Sequence, residues 1–355
     1  MTPSDTAALR VTSADLEAFI ARAFVAVGIS RDEARTIAEL MARADLTGAD
    51  GHGVFRLPQY IRRIKGGAVN LKPDIRIERE APGMAVVDGD NGMGHLVMRF
   101  AAEKAIEKAA VSGVAWVGVR HSNHAGPASL YASMPLAHDM IGLYLAVGNA
   151  NHLAPWGGLD LLLSTNPIAV AVPAGEEPPI VLDMATTVAA YGKVKTAAQR
   201  GETMPVGWMI DRLGNTLTDP KRASEGLLLP IGGYKGYGLS LIIGLLAGTL
   251  NGAANGRDVV DFNSDDSTAT NTGHAIVAIN VAMFRPLDEF KQAVDAFVRD
   301  IRNAERLPGV DAIRLPGEQS HAKRGERTQL GIPMPAPLLA ALNTLAAELA
   351  IAPLA

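Results

Sequence analysis

The sequence of 355 residues contains no cysteine. This absence excludes disulfide bonds, thiolate nucleophiles and every zinc or iron–sulfur site that uses cysteine ligands. Any redox chemistry of this chain must therefore come from a bound cofactor.

The sequence also lacks a long hydrophobic run. The longest, residues 239–250, has 12 residues and contains Ser240 and two glycines, whereas a helix that spans a bilayer needs about 20 apolar residues. Residues 1–16 carry Asp5 and Asp15 and no apolar core of the kind found in secretory signals. We therefore expect a cytoplasmic protein with no membrane partner.

A large excess of charge of one sign is missing as well. The net charge is −4, and the basic pairs Arg62-Arg63 and Lys323-Arg324 are short and have acids nearby. This pattern argues against a nucleic-acid partner. The hydrophobic content of 48% indicates a globular chain, and a chain of this length typically forms two or three domains.

The dinucleotide fingerprint G-x-G-x-x-G is absent. Residues 89–94 and 233–238 instead carry glycines in the order G-x-x-G-x-G, which argues against a standard doubly wound nucleotide domain. The second cluster precedes an apolar helix, so Lys235 and free backbone N–H groups could receive a phosphate there. The alternative is a glycine loop that merely packs tightly.

An imidazole and a guanidinium stand four residues apart at His52 and Arg56. If this stretch opens a helix, both lie on one face. Arg56 could then hold the carboxylate of a small 2-oxo or 2-hydroxy acid, while His52 exchanges a proton with the C2 oxygen. The alternative is that His52 caps a helix and Arg56 is a solvated surface charge.

A second polar stretch, residues 120–126, follows a predicted buried strand and contains His121 and His124. Polar side chains at a strand end are typical of ligand sites in α/β proteins. A metal site at these two histidines is the weaker alternative, because no third ligand stands nearby.

Hydrophobic periodicity predicts an all-helical opening unit followed by an α/β or α+β body. Thr12 or Ser13 caps the first helix, and Ser30 and Glu33 form a capping box for the second. The predicted helices cover residues 12–28, 30–48, 54–64, 96–110, 185–200, 238–250, 287–303 and 336–351. The predicted strands cover residues 75–77, 84–87, 114–119, 141–147, 168–172, 180–182 and 275–279. Residues 251–271 are expected to form a mobile loop.

Taken together, these stretches resemble the malate/L-lactate dehydrogenase family that is unrelated to the Rossmann-type enzymes of those names. The resemblance extends from about Val11 to Pro335. It is carried by Asp50-Gly-His-Gly-Val-Phe-Arg-Leu57, Ser122-Asn-His-Ala-Gly126, Ala154-Pro-Trp-Gly-Gly158, Thr165-Asn-Pro167, Leu182-Asp-Met-Ala-Thr-Thr187, Gly192-Lys193, Pro205-Val-Gly-Trp208, Thr218-Asp-Pro220, Gly232-Gly-Tyr-Lys-Gly-Tyr-Gly238 and Leu315-Pro-Gly-Glu318.

The resemblance implies a non-Rossmann NAD(P)-binding fold with a largely antiparallel central sheet, an N-terminal helical unit and a homodimer. It implies that His52 is the proton donor, that Arg56 anchors the substrate carboxylate, that His124 is a catalytic base near the cofactor and that Thr165 contacts the substrate. The cofactor-contacting positions that it implies are Asp183, Met184, Ala185, Lys235, Gly236, Pro316, Gly317 and Glu318. The choice between NAD and NADP stays open.

The expected organisation has three units. Residues 1–74 form the helical unit, joined by the C-terminal helix in residues 336–355. Residues 75–119 and 285–335 form a small α/β domain, and residues 120–284 form the NAD(P)-binding domain.

One departure from the family pattern concerns the substrate. Relatives carry Ser-His-Gly where this chain has Gly51-His52-Gly53, so a hydroxyl is missing that Asn151, His152 or water could replace. The expected reaction is hydride transfer between nicotinamide and C2 of a small 2-oxo or 2-hydroxy acid. The alternatives are a reductase of cyclic ketimines, a nucleotide-binding protein without catalysis, and metal-dependent hydrolysis through His121 and His124.

Overall fold

The computed structural model describes residues 9–355, except for the side chains of residues 199 and 200. Its α-helices are α1 (Ser13–Ala26), α2 (Arg31–Leu46), α3 (Leu57–Lys65), α4 (Gly94–Ser112), α5 (Ala128–Ala132), α6 (Tyr191–Arg200), α7 (Tyr234–Ala247), α8 (Leu287–Asn303), α9 (Glu318–Leu330) and α10 (Ala336–Glu348). Its strands are β1 (Leu9–Val11), β2 (Arg76–Ala81), β3 (Met84–Asp88), β4 (Val114–Ser122), β5 (Met140–Ala146), β6 (Ile168–Val172), β7 (Ile180–Met184), β8 (Met209–Asp211), β9 (Thr216–Leu217), β10 (Gly226–Leu228), β11 (Thr272–Asn280) and β12 (Ile332–Met334).

A seven-stranded sheet in the order β2-β3-β4-β11-β5-β6-β7 forms the centre of the molecule. Only β3 and β4 pair in parallel; every other neighbouring pair is antiparallel. The expectation of an α/β fold with a largely antiparallel central sheet is therefore confirmed.

Helices cover both faces of this sheet, which explains why its central strands are almost continuously apolar. Successive strand residues point to opposite faces. Tyr144 and Ile276 pack into the core beneath α4 and α5. Their neighbours along the same strands, Leu145 and Ala275, point to the opposite face and pack against α7.

The helical unit has a core of its own, formed by α1, α2, α3 and α10. Thr12 caps α1 by accepting a hydrogen bond from the Asp15 amide at 3.1 Å. Ser30 caps α2 as predicted, because the Glu33 amide donates to Ser30 Oγ at 3.3 Å. The Glu33 side chain takes part by accepting from the Ser30 hydroxyl at 2.5 Å. Strands β1 and β12 pair, which ties the two ends of the described chain together.

Several predicted bounds were wrong. The helix expected from residue 185 begins at Tyr191, and the helix expected from residue 238 begins four residues earlier, at Tyr234. Helix α9 and the small sheet of β8, β9 and β10 were not predicted. These strands have only two or three residues, too few for a periodic pattern to appear.

The division into domains remains a prediction. The boundary at residues 119 and 120 falls inside β4, and strands from both sides of it belong to one sheet. Among the residues that the structure describes, no helix is both long enough and apolar enough to cross a membrane.

Candidate active site

The segment that carries His52 and Arg56 is not one helix. Residues Asp50–His52 and Val54–Arg56 form two separate 3-10 turns, and α3 begins only at Leu57. The prediction that both side chains lie on one α-helical face is therefore wrong. The break occurs at Gly53, whose ψ of −137° is far from helical.

A buried carboxyl explains the break. Asp45 Oδ2 accepts a hydrogen bond from the Val54 amide at 2.8 Å. A Cβ atom on Gly53 would lie 2.1 Å from Asp45 Oδ1, so only glycine fits between the two turns. Burial raises the pKa of Asp45 to about 8, although the bond from Val54 lowers it in part.

Two histidines that are 72 positions apart in the chain meet at this segment. The His52 and His124 rings stack with centroids 5.5 Å apart and planes 14° apart. The His124 ring also stacks on Phe262, at 5.1 Å. His52, His124 and Phe262 come from three separate loops, so only the tertiary fold brings their rings together.

Tyr60 determines the tautomer of His124. Its hydroxyl lies 2.6 Å from His124 Nδ1, and burial raises the pKa of this phenol, so it stays protonated and donates. The Gly126 amide also donates to Nδ1, at 3.4 Å. With Nδ1 accepting, the proton of the neutral ring is on Nε2.

Both histidines are neutral at pH 7. Burial, followed by the nearby Arg56 charge, lowers the pKa of His52 to about 4. Burial also lowers the pKa of His124 well below its ordinary value, and the proximity of His52 and of the Arg56 charge adds to this effect. His52 Nδ1 is buried and has no hydrogen-bond partner in the described part of the chain, which is typical of an atom that meets a ligand.

The Arg56 side chain is held by hydrogen bonds to residues close to it in the chain. Its Nε donates to the Gly51 carbonyl at 2.9 Å, and one terminal nitrogen donates to Gln59 Oε1 at 2.7 Å. Within residues 9–355 no carboxylate forms an ion pair with Arg56. The free terminal N–H groups can therefore receive a substrate carboxylate.

The contacts of His121 and His124 do not support the metal site considered above. His121 Nδ1 lies 3.1 Å from Asp88 Oδ1, while His124 Nδ1 is bonded to Tyr60. Across the described residues, no three histidine, aspartate or glutamate side chains form a group that could hold a metal ion.

The predicted cofactor positions on β7 lie beside the predicted substrate contact. Thr165 O accepts hydrogen bonds from the Thr186 amide and hydroxyl, at 2.9 and 3.0 Å. Thr186 directly follows Asp183, Met184 and Ala185. The Asp183 carboxylate accepts from the Ser129 amide at 2.8 Å.

The glycine loop before α7 attaches to the same segment. The Ile231 amide donates to the Thr186 carbonyl at 3.0 Å. A Cβ atom on Gly236 would lie 2.1 Å from the Ile231 carbonyl oxygen, so the loop is packed tightly there. Lys235 is exposed in the first turn of α7, where the helix N-terminus favours an anion.

The third predicted cofactor segment also reaches β7. The Val181 amide donates to the Pro316 carbonyl at 3.0 Å. Gly317 has a φ of +91° and is the residue immediately before α9. The Glu318 carboxylate accepts from Arg302 Nε at 2.7 Å, so it is engaged within the protein.

The structure therefore assembles two groups of predicted residues. The first contains His52, Arg56 and His124. The second contains Thr165, Asp183, Met184, Ala185, Lys235, Gly236, Pro316 and Gly317. The exposed N-terminus of α7 and the close-packed glycines suit a nucleotide, because the backbone can approach its phosphates without side chains between them.

Sequence reasoning missed two residues that contact the first group, Tyr60 and Phe262. Tyr60 lies four positions after Arg56, a spacing that could have indicated a shared neighbourhood. Phe262 gave no signal, because it lies in the segment expected to be a mobile loop. That segment has little regular structure, but Arg63 donates to the carbonyl oxygens of Asp265 and Thr268 and so ties it to α3.

The residues expected to replace the missing serine hydroxyl make other contacts. The His152 ring stacks on Tyr191 at 3.9 Å, and Asn151 Nδ2 donates to the Gly256 carbonyl at 2.7 Å. A Cβ atom on Gly51 would meet nothing within 4 Å.

Comparison with known proteins gives a consistent result over nearly the whole chain. Residues 11–343 match the family profile described as Malate/L-lactate dehydrogenase. A malate dehydrogenase of Pyrococcus abyssi is 37% identical over 352 residues, which are 97% of this chain and 96% of that protein.

Two further relatives carry other names. The L-sulfolactate dehydrogenase of Methanocaldococcus jannaschii is 39% identical over 84% of this chain and 86% of its own length. The solved structure of the sulfolactate dehydrogenase of this organism has a TM-score of 0.88, covering 97% of this chain and 98% of that one. A Delta(1)-pyrroline-2-carboxylate/Delta(1)-piperideine-2-carboxylate reductase of Pseudomonas putida is 32% identical over 93% of this chain and 95% of its own.

Proposed function

The chain belongs to the malate/L-lactate dehydrogenase family, and from this premise we propose that it is an NAD(P)-dependent oxidoreductase acting at C2 of a small 2-oxo or 2-hydroxy carboxylic acid. The observation that carries the proposal is the arrangement of two neutral, stacked histidines beside Arg56, a cation without an acidic partner in the described chain.

Arg56 anchors the substrate carboxylate in this proposal. Its Nε and one terminal N–H are bonded to Gly51 and Gln59, which holds the guanidinium plane in place. The remaining terminal N–H groups offer two donors to the carboxylate oxygens, and this geometry fixes the orientation of C2.

In this proposal His52 and His124 act at the C2 oxygen of the substrate, which loses a proton during oxidation and gains one during reduction. A neutral imidazole with an unoccupied nitrogen, here His52 Nδ1, is ready to accept the proton of a substrate hydroxyl during oxidation. Because the Arg56 charge lowers the pKa of both rings, a carboxylate bound to Arg56 offsets part of that effect and raises both values. Substrate binding thus prepares the same histidines to return a proton during reduction.

Tyr60 and Gly126 donate to His124 Nδ1, which leaves its Nε2–H free to donate a hydrogen bond to the C2 oxygen. His52 Nδ1, which lacks a protein partner in the described chain, is the candidate for accepting the proton. The variant His52→Ala, described below, tests this assignment.

The residues that would hold the nicotinamide nucleotide are the second group described above, together with His124, which the family resemblance also assigns to the cofactor. When bound, the nucleotide supplies or accepts the hydride at C2. The Asp183 carboxylate, the backbone around Gly236 and the Pro316-Gly317 turn would bind and orient it. Lys235 would face its phosphates. Glu318, being paired with Arg302, would position the turn rather than contact the nucleotide.

The homodimer also remains a proposal. It is supported by α7, an apolar helix on which Leu239, Ile242 and Leu245 are exposed, because a helix that is hydrophobic on most sides is usually covered. Light scattering coupled to gel filtration tests it, and a monomeric mass at micromolar concentration would contradict it. The cytoplasmic location stays a prediction.

The function is tested by following the loss of reduced-nicotinamide absorbance. NADH and NADPH are supplied separately with pyruvate, oxaloacetate, further 2-oxo acids and piperideine-2-carboxylate. Turnover of an open-chain 2-oxo acid is expected and would identify the preferred nucleotide.

Two other outcomes of this experiment would favour the alternative functions, a ketimine reductase or a nucleotide-binding protein without catalysis. Reduction of the cyclic imine alone would make the chain a ketimine reductase, a function favoured by its similarity to the Pseudomonas putida reductase. Binding of NADH, seen as a fluorescence change, without turnover of any substrate would indicate a nucleotide-binding protein without catalysis.

A further inference from the structure

One buried side chain connects Arg56 to the ring that stacks on His124. Gln59, in the first turn of α3, has only 8% of its surface exposed. Its Oε1 accepts a hydrogen bond from a terminal nitrogen of Arg56 at 2.7 Å, and its Nε2 donates to the Phe262 carbonyl at 2.7 Å. The Phe262 ring stacks on His124, with centroids 5.1 Å apart. A continuous series of contacts therefore leads from the guanidinium to the imidazole.

These contacts require an amide at position 59. A guanidinium only donates hydrogen bonds and a carbonyl oxygen only accepts them. The side chain between Arg56 and Phe262 must therefore accept on one side and donate on the other. An ionised carboxylate has no donor, and an ammonium has no acceptor. Glutamine supplies both and carries no charge, so the full positive charge of Arg56 remains for a substrate carboxylate.

The backbone of Phe262 is fixed from two directions. Its amide donates to the Asn149 carbonyl at 2.9 Å, and its carbonyl accepts from Gln59. The Phe262 ring also lies 5.2 Å from the guanidinium carbon of Arg63, which is one turn further along α3. The place of this ring is therefore set by α3, the helix that begins directly after Arg56.

The charge that Gln59 contacts also acts on both histidines. Burial is the largest cause of the low pKa values of His52 and His124, and the Arg56 charge lowers both further. A negative charge placed on Arg56 would offset this effect and raise the pKa of both rings. The pH dependence of activity therefore reports on the side chain at position 59.

We propose that Gln59 is a positioning residue that fixes the Arg56 guanidinium relative to the Phe262 ring. A carboxylate bound by Arg56 then presents its C2 atom to the two stacked histidines. The neutrality of Gln59 is part of this role, because an acid at this position would occupy the guanidinium in place of the substrate. The inference rests on the proposed function and adds the residue that joins the substrate anchor to the proton-transfer rings.

The test compares two substitutions of similar size. Gln59→Glu keeps the acceptor for Arg56, adds a negative charge and removes the donor to Phe262. Gln59→Met removes both hydrogen bonds and adds no charge. Arg62→Met is the matched control, because Arg62 lies on the same helix and pairs with Asp266 at 3.4 Å on the exposed surface.

The kinetic constants are measured for pyruvate and oxaloacetate with the nucleotide that the wild type prefers. The pH dependence of kcat/KM is measured for the oxidation of malate and lactate. Fluorescence titrations give the dissociation constant of NADH and, in the NADH complex, that of oxamate, an unreactive analogue of pyruvate. The oxamate titration makes the comparison independent of turnover.

The charge-adding variant is expected to affect binding of the acid. Gln59→Glu should raise the KM for the 2-oxo acid and the dissociation constant of oxamate about tenfold, because the new carboxylate competes for Arg56. The acid limb of its kcat/KM profile should move to higher pH, because both histidines gain protons more readily. Its affinity for NADH should equal that of the wild type.

The uncharged variant is expected to affect the chemical step. Gln59→Met should lower kcat about 10- to 100-fold through misplacement of the bound acid. It should keep the wild-type pH profile, because Arg56 keeps its charge. Arg62→Met should match the wild type in every quantity.

An unchanged pH profile and oxamate affinity in Gln59→Glu would overturn the proposal, and so would a wild-type kcat in Gln59→Met. Equal losses of NADH and oxamate affinity in both variants would overturn it too, because general damage to the fold affects both ligands. A wild type that turns over no 2-oxo acid would overturn the proposed function, while the oxamate titrations would still decide the role of Gln59. A wild type that also fails to bind oxamate would overturn both.

Discussion

The two halves of the candidate site are built in different ways. The histidine side contains the rings of His52, Tyr60, His124 and Phe262, whose centroids lie 5.1 to 5.8 Å apart. Arg56 belongs to the same side and is held by the Gly51 carbonyl and Gln59. The glycine side, consisting of residues 183–186, 231–236 and 316–317, is joined by backbone hydrogen bonds.

This difference follows from what each half has to do. Acid–base chemistry needs groups with shifted pKa values, and burial of side chains supplies those shifts. Binding of a nucleotide needs exposed backbone N–H groups and close approach, and glycine supplies both. Substitutions on the histidine side should therefore change rates, whereas substitutions on the glycine side should change nucleotide affinity.

The largest expected effect is that of His52→Ala. Removal of a positioned acid or base should lower turnover by about 10²–10⁴-fold, roughly 3–5 kcal/mol, with nearly unchanged affinity for NADH. Steady-state kinetics and a fluorescence titration with NADH measure the two quantities. The exposed His138 provides the matched control, His138→Ala. Normal turnover in His52→Ala would remove this ring from the mechanism.

On the glycine side, Gly236→Ala should weaken nucleotide binding with little effect on stacking of the histidines. The new Cβ atom would lie 2.1 Å from the Ile231 carbonyl, and overpacking of this kind costs about 1–3 kcal/mol. A loss of affinity of about tenfold or more is expected. Gly238→Ala is the control, because its Cβ atom would meet nothing within 4 Å. Equal affinities of the two variants would show that the tight loop does not bind the nucleotide.

Arg56→Lys separates binding from chemistry on the histidine side. A lysine cannot offer two parallel donors to a carboxylate, so the KM for the 2-oxo acid should rise roughly tenfold while the NADH affinity stays constant. Initial rates over a range of acid concentrations measure this change. An unaltered KM would mean that Arg56 does not contact the substrate.

The buried histidines should make the protein sensitive to acid. Burial lowers the pKa of His95 to about 3 and that of His274 to about 4. Between pH 6.5 and 4 the unfolded chain binds protons at these rings and the folded chain does not. The free energy of unfolding therefore falls as the pH is lowered through this range, by about 1.4 kcal/mol per pH unit for each histidine. Asp45, whose pKa is raised to about 8, acts in the opposite direction.

Because Asp45 opposes the histidines, the quantity to measure is the difference between wild type and His95→Phe in how the free energy of unfolding changes with pH. Urea unfolding at pH 7, 6 and 5 should give a slope against pH that is smaller in the variant by about 1 kcal/mol per unit on average. His138→Ala should keep the wild-type slope. Identical slopes for His95→Phe and the wild type would mean that folding does not shift the pKa of His95.

The smallest effect is expected from Gly51→Ser. Nothing lies within 4 Å of the position of the new Cβ atom, so stability should change by less than about 0.5 kcal/mol. The added hydroxyl should raise kcat/KM for piperideine-2-carboxylate relative to the 2-oxo acid by roughly twofold to tenfold, the value of one hydrogen bond. An unchanged ratio would show that the serine of the relatives is not what distinguishes the two substrates.

Local features were predicted well because they depend on neighbours in the chain. The Thr12 cap, the Ser30 capping box and the buried strands β4 and β11 follow from short-range patterns. The failure at Gly53 has the opposite cause. A continuous helix through residues 52–56 satisfies the local spacing, but the Asp45 carboxyl occupies the space beside Gly53 and binds the Val54 amide.

The family, the antiparallel α/β class that it implies and the identity of the candidate residues could be read from the chain alone, because motifs and periodicity are local. Which of those residues meet depends on the folded arrangement. It set the tautomer of His124 through Tyr60, placed Phe262 against that ring and joined Gln59 to the Phe262 carbonyl. These contacts join residues 64 to 203 positions apart, and pairings at such separations depend on packing, which no local pattern contains.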